Sequence, residues 1–202
     1  MRHPLRSTLL IFLFFATGST AYSQLYLGAG YGTFNVPGAS MNFRGTGPTL
    51  RFEYTKPDYN TSIFVDVSYF EKSVPEGTTQ IYDNNGMPIS TASVTDKYSY
   101  IYNTVGCKVK FSDRKFSPYL GFGVAVVFAR QQLSYQPSYN VSGGAQSRVT
   151  EGFHFNAGLQ YDTGPVILQL QGNLDIVLKV LVDDVSNIMT NLRFTILVPV
   201  LR

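Results

Sequence analysis

The stretch EGFHFNAGLQYDTGPVILQLQGNLDI, residues 151–176, decides the fold, because its side chains alternate in polarity on both sides of a short turn. Apolar or small residues take every second position over 153–161 and again over 166–176, and polar or small residues lie between them. Successive side chains of a strand point to opposite faces, so each half is predicted to be a strand with one apolar face. The Thr163-Gly164-Pro165 connection is short enough to join the two strands as an antiparallel hairpin.

The same alternation recurs along the chain and predicts about eight strands. The connections between these strands alternate between long and short, except that the last one, 183–187, is short where a long one is expected. An even number of strands, with short turns at one end and longer loops at the other, is typical of single-chain outer-membrane barrels. Asn103 interrupts an apolar register, which predicts a β-bulge near it. The predicted strands are 25–34, 48–56, 63–70, 97–111, 117–130, 153–161, 166–176 (with an extension over 178–182) and 191–200; the long links are 35–46, 73–95 and 131–148, the short ones 57–60, 112–115, 163–165 and 183–187.

The first 23 residues read as a secretory signal peptide, with Arg2 and Arg6 ahead of an apolar run over 9–16 and small residues after it. Eight apolar residues are too few for a helix that crosses a bilayer. We therefore predict a signal peptide over 1–23 and one domain over 24–202. Without the two arginines, Lys and Arg fall from 16 to 14 against 13 Asp and Glu, and the net charge falls from +3 to +1. That balance gives no support for nucleic-acid binding.

The rest of the composition favours strands without internal cross-links. Cys107 is the only cysteine, so no intrachain disulfide can form. No later stretch is long and apolar enough for a membrane-spanning helix. Fifteen Phe and fourteen Tyr favour strands. We expect no cofactor and no metal site, because His154 is the only histidine after the signal peptide and Cys107 lies in an unrelated register.

The charged residues of the strand centres share the polar register. A lysine or arginine facing lipid at mid-bilayer costs about 2–4 kcal/mol, so these charges are expected inside, where they must be paired. The sequence thus predicts an all-β fold, a closed antiparallel up-and-down eight-stranded transmembrane β-barrel, with both termini periplasmic. Its lumen is expected to hold a structural polar network of Arg51, Glu53, Asp66, Lys108, Lys110, His154, Asp175 and Arg193.

Aromatic residues of the apolar register fall near the strand ends, where interfacial girdles form in membrane barrels. Strands are rich in Tyr and Phe for other reasons too. Their positions follow the strand direction, which favours the girdle interpretation. The outer set is Tyr31, Tyr69, Phe128 and Phe153, and the inner set is Tyr54, Phe111 and Tyr161.

The sequence resembles a family of membrane barrels. The signal peptide, GAGYG in the first strand, PYLGFGVAVVFA in the fifth and FHFNAGLQY in the sixth are similar to small OmpA/OmpX-like outer-membrane barrels, within the group that includes PorT-like proteins. The resemblance covers the whole mature chain and implies a bacterial outer-membrane location. It also implies outer-membrane lipids, lipopolysaccharide and the barrel-assembly machinery as partners, together with a surface or envelope protein partner.

Candidate chemistry is sparse. Asn156 stands where the lipid A deacylase barrels carry a nucleophilic serine near the histidine, so His154 lacks an attacking group beside it. Glu53, Asp66 and Asp175 are better explained as buried ion-pair partners than as catalytic carboxylates. The leading hypothesis is a non-enzymatic anchor or loop-display protein with a side-chain-plugged lumen. The alternatives are a PorT-like secretion or narrow transport component, a lipocalin-like soluble carrier and a lipid A-modifying enzyme.

Overall fold

The structure, a computed structural model, describes residues 24–37, 43–55, 60–82, 85–136, 145–178 and 187–201. The predicted signal peptide lies outside this described part. Every described segment is mainly β-strand. The described part contains no helix that is long and apolar enough to cross a membrane. The strands are β1 Gln24–Val36, β2 Phe43–Thr55, β3 Thr61–Tyr82, β4 Pro88–Lys110, β5 Phe116–Gln136, β6 Gln146–Asp162, β7 Ile167–Val177 and β8 Ile188–Leu201.

The eight strands form one closed antiparallel barrel in which each strand pairs with its neighbours in sequence. The last strand returns to the first, with Leu27 opposite Val198 and Asn35 opposite Thr190. Closure leaves no sheet edge along this seam, which is a requirement for backbone in lipid. The predicted all-β, up-and-down, eight-stranded barrel is therefore confirmed, and so is the hairpin around Gly164, where Tyr161 pairs with Leu168.

Glycines let β1 lie close to β8 at the seam. A Cβ added at Gly30 would come within 2.1 Å of the carbonyl oxygen of Phe194, and one at Gly28 within 2.3 Å of the Leu197 side chain. No larger side chain fits at such distances without moving the neighbouring strand. The glycines on the inner face of β1 thus have a steric reason.

The two faces of the wall have the predicted polarity. On β7 the residues from Gln169 to Asp175 alternate strictly, with polar side chains buried inside and Leu170 and Leu174 exposed outside. The charged side chains at the strand centres are buried, whereas the exposed register there is mainly apolar. A soluble lipocalin-like carrier requires the reverse arrangement, with charges in water and an apolar interior.

Four strands are much longer than predicted. Within the described residues, the sheet continues into the expected links 73–95 and 131–148, because β3 runs to Tyr82, β4 begins at Pro88, β5 runs to Gln136 and β6 begins at Gln146. We call residues 73–82, 88–97 and 131–136 the β3–β5 extension, and the barrel end that carries it the outer end. The expected link 35–46 is likewise shorter, since β1 and β2 reach Val36 and Phe43.

One local prediction is wrong, and another concerns residues most of which the structure does not describe. No register shift occurs near Asn103, which lies directly between Val67 and Val126 on the outward face, so the bulge predicted there is wrong. A neutral amide can remain in the outward register without re-aiming the strand. A bulge does occur between Pro75 and Gly77, where proline interrupts the ladder. The predicted continuation of the seventh strand over 178–182 falls mostly outside the described residues.

Candidate functional site

The lumen holds an ionic centre made from residues of four strands. Arg51 lies between two carboxylates, with Nε at 3.2 Å from Glu53 Oε2 and at 3.5 Å from Asp66 Oδ1. Lys108 Nζ contacts the other oxygen of Glu53 at 2.6 Å, and Arg193 Nη1 donates to Asp66 Oδ2 at 3.1 Å. All five side chains are buried. Three cations therefore face two carboxylates directly, and each buried charge has a partner, as low-dielectric surroundings require.

Neutral polar side chains complete this centre. Lys108 also donates to Gln160 Oε1 at 3.0 Å, and Gln169 donates to Glu53 at 3.2 Å. Gln171 Oε1 accepts from Arg51 and, at 3.1 Å, from the hydroxyl of Tyr119. The polar register of the sequence contains Gln160, Gln169 and Gln171, but the predicted network named only charged residues and His154. Tyr119 lies in the same inward register of its strand.

A second buried cluster surrounds His154. Its Nδ1 lies 2.7 Å from Asp175 Oδ1, which also accepts from the Tyr102 hydroxyl, and Asn156 Nδ2 donates to Nε2 at 3.1 Å. This pattern fits the tautomer with the proton on Nδ1. All four side chains are buried, and among the described residues no serine, threonine or cysteine side chain hydrogen-bonds the imidazole. The imidazole is therefore saturated by structural contacts.

The two clusters are connected. Gln171 donates to Asn173, Asn173 donates to Asn191, and Asn191 reaches Asp175 Oδ2 at 3.4 Å. The guanidinium of Arg193 also lies 4.8 Å from the ring centre of Tyr102. Polar contacts thus run through the lumen without interruption from the ionic centre to the His154 cluster.

Lys110 stands apart from the other predicted lumen residues. It is half-buried near the inner end, and none of the ion pairs among the described residues includes it. The structure brings the seven remaining predicted residues into the two clusters. Lys108 is one row deeper in the lumen and reaches Glu53, whereas Lys110 is opposite Tyr119 on β5.

An apolar layer lies in the lumen at the outer end. Phe34 stacks on Phe70 with ring centres 5.0 Å apart, and the Tyr100 ring is 5.2 Å from Phe34. Sequence analysis did not predict this layer, although its residues occupy the inward register. We call it the outer apolar layer, and its buried members are Phe34, Val36, Phe70, Tyr100, Tyr102, Ala125, Val127, Ala129, Val177 and Met189.

The predicted girdle residues lie on the outward face. Tyr69 and Phe128 flank Ile101 in one cross-strand row near the outer end, and the Tyr31 hydroxyl donates to Thr46 Oγ1 at 3.0 Å. Six of the seven are exposed on the wall, and Tyr54 is half-buried. Whether they mark membrane interfaces stays a prediction. Cys107 is a free thiol, half-buried in the same outward register.

Polar contacts also order the base of the β3–β5 extension. Gln131 Nε2 donates to Asp96 Oδ2 at 2.6 Å and to the Tyr98 hydroxyl at 3.2 Å. Within the described residues, no group of three or more His, Cys, Asp or Glu could hold a metal ion.

Comparisons with known proteins agree with this architecture. The family described as "Outer membrane protein beta-barrel domain" matches residues 7–188. No curated protein sequence matches the chain. Among solved structures, Ail, the attachment invasion locus protein of Yersinia pestis, in complex with the heparin analogue sucrose octasulfate, is similar at 14% identity and a TM-score of 0.58. The match covers 88% of this chain and 98% of Ail.

Two other solved barrels show the same fold. Neisserial surface protein A is 15% identical with a TM-score of 0.57, and a major outer membrane protein from Thermus thermophilus is 11% identical with a TM-score of 0.55. Each match covers 88% of this chain and 98% of the other. With the closed barrel, the inward charges and a family match over most of its length, the chain belongs to the outer-membrane protein β-barrel domain family.

Proposed function

We propose that this protein is a non-enzymatic outer-membrane barrel that closes its lumen with side chains and presents the β3–β5 extension at the cell surface. The observation that carries the proposal is the filled lumen. An eight-stranded barrel has an interior just wide enough for side chains. Here the ionic centre, the His154 cluster and the outer apolar layer occupy it in succession from the inner to the outer half.

The outer apolar layer supports a barrel without conductance. An ion crossing it would lose its hydration among aromatic and aliphatic side chains, which is costly without compensating polar groups. Phe34, Phe70 and Met189 in this layer have no measurable exposure. Beneath them Arg51 and Arg193 are held by carboxylates rather than free to line a water-filled passage.

The β3–β5 extension supports a display role. Its strands continue the barrel wall beyond the outward aromatic residues, so the barrel serves as a rigid support for it. Tyr82, Met87 and Ile89 near the hairpin tip are more than half exposed, at 55%, 65% and 63%. Large exposed apolar side chains beside polar ones are common in binding surfaces. We assign the interaction with a surface or envelope partner to this extension.

The contacts of His154 support the non-enzymatic part of the proposal, because none of them, within the described residues, is with a serine, threonine or cysteine that could act as a nucleophile. Acyl transfer needs an activated hydroxyl, thiol or water beside the base, with space for a substrate. The imidazole of His154 instead contacts Asp175, Tyr102 and Asn156, all buried. His154→Asn should leave the pattern of lipid modification in the host membrane unchanged, and a loss of any lipid A modification would exclude this part of the proposal.

The proposal includes the orientation of the barrel. With the extension outside, both termini lie on the periplasmic side, and the protein contacts outer-membrane lipids, lipopolysaccharide and the barrel-assembly machinery. N-terminal sequencing of the mature protein should begin near Gln24. An epitope inserted after Gly86 at the hairpin tip should be labelled on intact cells, whereas one inserted at Gly164 should require permeabilised cells. The opposite labelling would reverse the orientation.

Single-channel recording tests the closed lumen against the PorT-like transport alternative. The folded barrel in a planar bilayer should give flat traces, because the outer apolar layer blocks ions. Phe34→Ala combined with Phe70→Ala removes the stacked pair and should introduce openings, whereas the outward substitution Phe122→Ala should not. Stable conductance of the unaltered protein would favour a narrow transport component.

A further inference from the structure

The outward face of β4 and β5 changes from apolar to cationic at the outer end. From Ile101 to Val109 on β4, and from Leu120 to Phe128 on β5, the outward side chains carry no charge. The next charged residues upward are Lys97 and Arg130, both exposed. Cations thus begin two to four residues above the aromatic and aliphatic row, a rise of roughly 7–13 Å along a strand.

Lys97 and Arg130 are close neighbours on this face. Lys97 is opposite Gln132 and Arg130 is opposite Ser99, so the two cations are diagonal across β4 and β5. Diagonal positions on one face of an antiparallel pair are about 7–8 Å apart. That spacing refers to the strand positions, and both side chains are long enough to bring their charges to one anion, which offsets the repulsion between like charges.

No carboxylate of the described residues supplies that anion. The ion pairs of the described part involve neither Lys97 nor Arg130. Glu71 is diagonal to Lys97 across β3, and its Oε2 accepts a hydrogen bond from the Tyr69 hydroxyl at 2.7 Å. That bond leaves the charge of Glu71 in place, so the two cations and this carboxylate together carry one net positive charge on the surface of the wall.

The surroundings of the pair fit a phosphate at the edge of a bilayer. Ser99 and Gln132 on the same face offer neutral hydrogen-bond donors. Directly below them, Ile101 and Phe128 are exposed by 47% and 44%, as expected for side chains beside acyl chains. A lipid whose chains lie against these residues has its headgroup level with the cations, and cations near a membrane surface attract anionic headgroups.

We propose that Lys97 and Arg130 form a binding site for the phosphate groups of an outer-leaflet phosphorylated glycolipid. The site rests on the proposed outward position of the extension, and it deepens that proposal by naming the lipid chemistry that the outer rim recognises. Arg44, exposed on the outward face of β2, adds positive charge to the same rim.

The test uses the full mature barrel in phosphatidylcholine nanodiscs that contain either bis-phosphorylated lipid A or the same lipid without phosphates. Native mass spectrometry counts the lipid A molecules that remain bound. Each cation near a surface contributes about fivefold to binding of an anionic lipid, so Lys97→Gln with Arg130→Gln should weaken retention roughly 30-fold. The dephosphorylated lipid should be retained equally by both proteins.

The matched control is Arg114→Gln with Lys115→Gln, which removes the same charge from the exposed turn at the inner end, beside Asp113. It should change retention less than about twofold. Equal retention by the Lys97/Arg130 variant, an equal loss in the control, or indifference to the phosphates would each overturn the site. The difference between boiled and unboiled gel migration verifies closure of every variant. Orientation does not affect this assay, so labelling of cells tests the proposed function separately.

Discussion

Asp66→Asn should be the most destabilising conservative change in the lumen, because one carboxylate serves two buried guanidinium groups. Asp66 is fully buried and contacts Arg193 at 3.1 Å and Arg51 at 3.5 Å. When the charge of Asp66 is removed, Arg51 still has Glu53 as its partner, at 3.2 Å in the native protein. Most of the lost stability is therefore expected from Arg193, which loses its carboxylate. Removing one partner of a buried ion pair typically costs about 3–5 kcal/mol, which we expect here for the free energy of unfolding.

The measurement is a urea titration of the barrel in detergent micelles. The chain contains no tryptophan, so the folded fraction is read from the band that migrates faster in unboiled samples. Linear extrapolation then gives the free energy of unfolding. Asp113→Asn in the exposed turn is the matched control and should change that value by less than about 0.5 kcal/mol.

A second substitution separates lost charge pairing from lost packing. Arg193→Met in the Asp66→Asn background removes the cation left without its partner, and replacement of a buried ion pair by apolar groups is often neutral. The double variant should recover at least half of the lost stability. If Asp66→Asn costs less than about 1 kcal/mol, or if Arg193→Met adds a further loss, the paired-charge account of the lumen is refuted.

Three further predictions concern the packing of the strands, the outward face of the barrel and the β3–β5 extension. Gly123→Val should lose at least about 1–3 kcal/mol or fail to fold, because a Cβ there comes within 2.2 Å of a β4 carbonyl oxygen, whereas Gly172→Val, with open space outside, should fold. Leu170→Lys, which places a charge on the exposed apolar face, should cost about 2–4 kcal/mol in vesicles, and Thr91→Lys, at an exposed position of the extension, should cost little. Replacing 78–91 by a two-residue turn should leave the unboiled gel band unchanged and abolish partner binding; loss of the folded band would mean that the extension is part of the barrel's own stability.

The barrel wall could be predicted from sequence because the two faces of each strand meet different environments. Inside, charges such as Asp175 need partners, and outside, residues such as Leu174 meet hydrocarbon, so a period of two is visible in the residue types. The outer parts of β3, β4 and β5 gave no such signal. Both faces of the extension are suited to water, so Thr78, Thr91 and their neighbours showed no alternation and read as a link.

The lumen could be predicted only in part. Charge and register placed Arg51, Glu53 and Asp66 inside, but pairing depends on how the strands are staggered, which no single segment reveals. Arg51 donates a hydrogen bond across the lumen to Gln171, which is 120 residues away in the sequence. The outer apolar layer was missed for a different reason. Phe34 and Phe70 lie in the inward register, which is otherwise mostly polar. The sequence of one strand does not show that two such aromatic side chains pack against each other, because this depends on which strands face each other across the lumen.

The bond between Arg193 and Asp66 joins residues 127 positions apart. Such a contact cannot exist until β8 has reached β1, so the arginine must keep its water shell while the earlier strands assemble. Pairing of β8 with its neighbours and loss of water from the lumen are therefore one event. In a chain that lacks β8, Asp66 remains hydrated where the complete barrel has its ion pair with Arg193. Slow, concerted maturation is the expected behaviour of a fold dominated by such distant contacts.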